Sequence, residues 1–180
     1  MEKETLEKLR YPIGKYEIPD PITDKHLEEW ISILENLPQR LSTLVEPLSE
    51  AQLETPYRPG GWTVRQVIHH VSDSHHHSYI RFKWALTEDN PTIKPYLQSG
   101  WAELFDSRIA PIQMSLDHLK VVHHKLVYLL RGLSREQLQR KFTHPEDNSE
   151  TSLLENIGRY VWHGNHHFAH INNLIHREGW

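Results

Sequence analysis

The chain is 180 residues long, 37% hydrophobic and formally −4 in charge, with a mean hydropathy of −0.65 and a pI near 6.4. That length favours one domain with its own core. No apolar run approaches the roughly 20 residues of a membrane span, and the acidic balance gives no basic footprint for nucleic acid.

There is no cysteine, which excludes disulfides, thiolate metal ligands and a cysteine nucleophile. Any metal must be held by nitrogen and oxygen, and any thiol chemistry must use a substrate's thiol. No apolar h-region follows Met1, so no signal peptide is expected, and the composition fits a cytoplasmic protein.

Taken in order, residues 1–23 read as an extended arm, because Tyr11-Pro12-Ile13-Gly14 and Ile18-Pro19-Asp20-Pro21 are rich in helix breakers. A first helix starts near Thr23 or Asp24. Its apolar residues Leu27, Trp30/Ile31, Leu34, Leu37, Leu41 and Leu44/Val45 keep a helical period, and Pro38 inside it predicts a kink. Ser49 and Gln52 form a capping box before a short turn of helix. A second helix opens at the capping box Thr63/Gln66 and runs to about Glu88, before Asn90-Pro91. Residues 89–108 form a long connection containing Trp101 and Phe105. A third helix runs from about Pro111 to a cap at Gly132, with a seam of Ile112, Leu116, Leu119, Val122 and Leu126. Leu133-Ser134-Arg135-Glu136-Gln137-Leu138 repeats the Leu-Ser-x-x-Gln-Leu pattern of residues 48–53. The last helix starts at the capping box Ser152/Glu155 and ends at Gly179. No strand pattern of comparable length occurs, so the fold class is all-α, a four-helix bundle in one domain, 1–180.

Fifteen histidines cluster on the second and last helices. In the last helix, His163/His167 and His166/His170 are spaced i, i+4, so each pair shares a face. Two imidazoles so placed converge on one divalent ion. Phase puts His163 and His167 on a polar flank beside Tyr160, and His166 further round toward solvent. In the second helix, His70 lies on the corresponding flank with Ser74, His77 and Arg81. The trio chosen as metal ligands is therefore His70, His163 and His167. His69, His75, His76, His123, His124 and His166 read as solvated or hydrogen-bonded flank side chains. Asp73 and His170 are the candidates for a catalytic base. Three imidazoles leave coordination positions open, as catalytic sites do. The competing reading is a metal-binding dimer without chemistry, a sensor or a structural protein.

These residues also carry a resemblance. The motifs are Tyr11-Pro12-Ile13-Gly14, Thr55-Pro56-Tyr57-Arg58, Gly60-Gly61-Trp62-Thr63-Val64-Arg65-Gln66-Val67, His69-His70, Asp73-Ser74-His75, Tyr160-Val161-Trp162-His163, His166-His167 and Ala169-His170-Ile171. Over nearly its whole length the chain resembles the YfiT branch of the DinB/YfiT-like superfamily. The resemblance implies an up-down-down-up bundle, a homodimer, and a metal-dependent hydrolase or thiol (bacillithiol) S-transferase acting on a small molecule. It implies one divalent metal per chain, with zinc or nickel expected, on the second histidine of His69-His70 and on His163 and His167. Phe168-Ala169-His170 stands where the wider superfamily has Arg-Gly-Gln, which separates this pocket from those of distant members.

Overall fold

The computed structural model of the protein describes residues 3–180. Four long helices carry it: α2 (Asp24–Val45), α4 (Val64–Thr87), α7 (Ile112–Arg131) and α9 (Leu153–Glu178). Shorter elements join them: α1 (Lys3–Arg10), α3 (Glu50–Leu53), α5 (Gln98–Ala102), α6 (Phe105–Ile109), α8 (Arg135–Leu138), β1 (Lys141–His144) and β2 (Ser149–Ser152). Local chemistry sets the starts. Thr63 with Gln66 and Ser152 with Glu155 form reciprocal capping boxes at α4 and α9, satisfying backbone donors that the first turn leaves unpaired. Gly179, at φ +72°, closes α9 in the left-handed region. No described helix is long and apolar enough to cross a membrane.

The chain direction of each helix follows from side-chain pairings. Trp30 meets Gly158, Leu37 meets Gly164, and Arg40 bonds Asn165, so α2 and α9 run parallel. His69 meets Ser115, Ser72 meets His118 and His75 meets His123, so α4 and α7 also run parallel. His70 meets His163 while Ser78 meets Asn156, so α4 and α9 are antiparallel. The bundle is therefore up-down-down-up, with α2 and α4 at opposite corners. Gly158 and Gly164 are required where they stand. A Cβ on either would run into Trp30 or Leu37 of α2, so the two helices pack closely only without one.

The core divides in two. One apolar cluster includes Leu34, Phe82, Leu126, Leu153 and Ile157. The other includes Leu41, Val67, Ile68, Leu119 and Ile171. Between them, at the middle of all four helices, lies a layer of buried imidazoles: His70, His75, His123 and His167, with His163 alongside. Polar groups in such a layer must find partners, because an unpaired buried one costs about 1–3 kcal/mol.

Three expectations change. The extended arm is corrected over Lys3–Arg10, which is helical: the breakers begin only at Pro12, and the Glu-, Lys- and Leu-rich segment before them favours helix. The part of that arm at Met1 and Glu2 lies outside the described residues. The 89–108 connection is not structureless but holds α5 and α6. Gln66 anchors it by donating to the Ala102 carbonyl, at 2.7 Å. Residues 141–152 form an antiparallel hairpin, Phe142 opposite Thr151, whose four-residue strands are too short to give a period-2 signal.

Candidate metal centre

His70 comes from the middle of α4, and His163 and His167 from successive turns of α9. The antiparallel crossing of the two helices points all three rings at one spot. One ligand nitrogen from each lies within 4.8 Å of the other two, and among the described residues no other cluster of histidines or acids meets that test. His70 Nε2 and His163 Nε2 are 3.3 Å apart. Two imidazole nitrogens bound to one tetrahedral ion at about 2.0–2.1 Å would stand roughly 3.3–3.4 Å apart. The donor set, three neutral nitrogens and no thiolate, suits a borderline divalent ion such as zinc or nickel.

Electrostatics keep these rings uncharged. Burial lowers His70 to about 4, with the neighbouring His166 adding to the effect. Burial likewise holds His163 and His167 well below the ordinary histidine value, helped by mutual repulsion within the cluster. All three rings are neutral at pH 7, the state that binds metal.

The trio forms the floor of a cleft of about 300 Å³ whose walls include Arg10, Tyr11, Tyr57, Arg58 and Trp62. Trp62 packs on His70 with ring centres 4.7 Å apart. On its other side His163 faces a second cavity, of about 750 Å³, with Ser74, Arg81, Tyr96 and Tyr160.

His170 reaches the cleft but is not free to act as a base. Its Nε2 lies 3.0 Å from the Arg10 carbonyl, which only accepts, so Nε2–H donates there. The remaining lone pair, on Nδ1, faces His167 Nδ1 at 3.3 Å. His167 donates to it, leaving its own Nε2 bare. His170 thus orients the His167 imidazole, the geometry that outer partners of metal-bound histidines have. Asp73 is not brought to the cleft. It lies half-buried on the other flank of α4, where burial, then the nearby Asp106, raises it to about 6. At about 100° per residue it falls in the stripe of His69 and His76, not in that of His70, Ser74 and His77.

His166 departs from its expected place. It is 7% exposed, because Tyr11 and Trp162 cover its ring, and its Nδ1 is buried without a partner. Helix phase missed this, since one of the two covering residues, Tyr11, comes from the N-terminal segment. His69 bonds Ser115 and the Ala110 carbonyl, and His76 bonds His118 at 2.9 Å, so both hold α4 to its neighbours.

Comparisons with known proteins agree with this picture. Residues 33–171 match the model of the DinB superfamily. A protein of Bacillus cereus (strain AH820) named "Putative metal-dependent hydrolase" is 53% identical over 172 residues, 96% of this chain and 98% of its own. A Bacillus anthracis (strain A0248) relative of the same name matches equally, 53% over 172 residues with the same coverage. Among solved structures, YfiT from Bacillus subtilis, described as a probable metal-dependent hydrolase with an unusual four-helix bundle topology, superposes with a TM-score of 0.94. It is 47% identical and covers 96% of this chain and 99% of its own. TT2238, described as a four-helix bundle protein, reaches a TM-score of 0.52 at 18% identity over 82% of this chain and 97% of its own, a likeness of fold alone.

Proposed function

The chain belongs to the DinB superfamily, and from that premise we propose that it is a metal-dependent enzyme acting on a small molecule, with His70, His163 and His167 as ligands of one divalent ion, zinc or nickel. One observation carries the reading. Three neutral imidazole nitrogens within 4.8 Å of one another form the floor of a cleft, and among the described residues no fourth histidine, cysteine or acid joins the cluster.

A divalent ion there supplies a Lewis acid that brings the pKa of a coordinated water to roughly 7, or holds a substrate thiol as thiolate. The chain supplies the rest. His170 fixes the orientation of His167. Trp62 covers His70 and His167 and keeps water from that side. Arg10 and Arg58 at the rim offer cations to an anionic substrate. Hydrolysis is favoured by the names of the relatives. The cationic rim supports a second reading, transfer of a low-molecular-weight thiol such as bacillithiol to an electrophile. Phe105 and Ile109, one turn apart on α6 and 77% and 74% exposed, support a homodimer through that face.

The test is turnover by the zinc- and nickel-loaded protein of a chromogenic ester, and of a chromogenic electrophile with bacillithiol or glutathione. Metal-dependent turnover of either substrate supports an enzyme, and which one turns over separates hydrolase from transferase. One bound metal per chain with no turnover of any substrate would favour the non-catalytic metal-binding dimer instead.

A further inference from the structure

Two fully buried histidines outside the ligand set, His75 on α4 and His123 on α7, are each 0% exposed. They form an unbroken chain with the ligand. His163 Nδ1 is 3.3 Å from His75 Nε2. His75 Nδ1 is 2.9 Å from His123 Nε2. His123 Nδ1 is 2.6 Å from the Leu34 carbonyl of α2. One line of contacts thus crosses all four helices of the bundle.

The carbonyl at the end is available for a reason written in the sequence. In an α-helix the carbonyl of residue 34 accepts from the N–H of residue 38. Residue 38 is proline, in the interior of α2, and proline has no N–H. The Leu34 carbonyl is left without its helical donor, and His123 takes the vacant role.

The direction of the chain follows by elimination. A carbonyl only accepts, so His123 Nδ1 carries the proton. A buried imidazole with no carboxylate beside it is neutral, and a neutral ring has one N–H, so His123 Nε2 is an acceptor. His75 Nδ1 must then donate, and His75 Nε2 accepts. His163 Nδ1 donates to it, which leaves His163 Nε2 without a proton, its lone pair facing His70 Nε2 at 3.3 Å and the Ser74 hydroxyl at 3.4 Å. A chain that ends on a buried carbonyl cannot pass protons to solvent, so its role is orientation.

We propose that Pro38, His123 and His75 are positioning residues that set the tautomer of His163 from across the bundle, so that its Nε2 is preformed as a metal-binding nitrogen. The proposal rests on the three-histidine reading above only where it concerns the metal.

The experiment has two arms. Long-range proton–nitrogen NMR on the metal-free protein reads each ring's tautomer: His123, His75 and His163 are all expected as Nδ1–H. In His123→Leu, His75 and His163 are expected to lose that single assignment. In His123→Gln, whose amide can both donate to Leu34 and accept from His75, they are expected to keep it. Zinc titration against a chromophoric chelator is the second arm, with affinity expected to fall about 10- to 100-fold in His123→Leu and to recover in His123→Gln. An Nε2–H tautomer at His163 in the wild type, or unchanged tautomers and affinity in a folded His123→Leu, would overturn the proposal. Absence of zinc binding by the wild type with all three rings as Nδ1–H would instead overturn the metal reading and leave the chain standing. Should His123→Leu not fold, Pro38→Ala makes the same test. It returns an N–H to the Leu34 carbonyl, and unchanged tautomers and affinity there would also overturn the proposal.

Discussion

The two proposed ligands on α9, His163 and His167, are oriented by the same device built in two different places. At the cleft, His167 donates to His170, which donates to the carbonyl of Arg10. In the core, His163 donates to His75, then His123, then the carbonyl of Leu34. Both relays end on a helix carbonyl that has lost its own donor. Arg10 lies in the last turn of α1, where carbonyls have no partner within the helix, and Leu34 lies four residues before Pro38. The difference is in what supports them. The outer relay rests on an eight-residue helix whose last residue, Arg10, lines the cleft, a length at the marginal end for helix stability. The inner relay is locked between two apolar clusters. The contrast makes His163 the fixed point of the site and His167 the adjustable one.

The largest effect should come from removing a ligand. In His163→Ala or His70→Ala, zinc affinity is expected to fall by more than about 100-fold, beyond the range seen for outer partners, as read by chelator competition. His123→Leu, which cuts the inner relay, ranks next. His170→Ala, which cuts the outer one, should cost about tenfold, the low end of that range, because α1 has less to hold it. An equal or greater loss in His170→Ala would reverse the comparison. Pro38→Ala should be smallest, a measurable loss of under tenfold, because the restored N–H competes with His123 for the Leu34 carbonyl but removes no side chain of the relay.

Acid sharpens the same contrast. His123 is lowered to about 4, burial being the main cause. The unfolded chain holds this proton below its ordinary value near 6.5 while the folded one does not, so the metal-free protein loses stability as pH falls. The loss from this residue runs from about 6.5 down to about 4, at about 1.4 kcal/mol per pH unit. In His123→Leu that contribution disappears, and urea unfolding of the metal-free variant should show a shallower acid slope than the wild type between those limits.

The long helices were readable because each combines an apolar period with side-chain caps, signals that lie within one segment. The convergence of His163 and His167 was readable for the same reason, since they share one face of one helix; on the second helix phase favours His70 but leaves His69 and His77 as rivals, and the resemblance carries the choice. What depended on another segment was not. Phase on α9 puts His166 toward solvent, and although Trp162 one turn earlier stacks on it, nothing on α9 announces that Tyr11 will close the other part of its cover. Asp73 reads as a candidate base, but it shares the flank of His69 and His76, away from the stripe that carries His70. His75 and His123 read as flank histidines because their partners lie 48 to 89 residues away. One signal was present: a proline in the interior of a helix marks a free carbonyl four residues earlier, and the buried donor that answers it deserves a search. The hairpin at 141–152 and the short helices α5 and α6 gave no periodic signal, since each is too short to complete a pattern.

The most direct test of the site is metal content per chain by elemental mass spectrometry on the wild type and on His70→Ala, His163→Ala and His167→Ala, with His176→Ala, an exposed histidine of α9, as the control. Close to one divalent ion per chain in the wild type and control, and loss in the other three, is the expected result. Equal metal in all five, or none in the wild type after loading with zinc or nickel, would contradict the three-histidine centre.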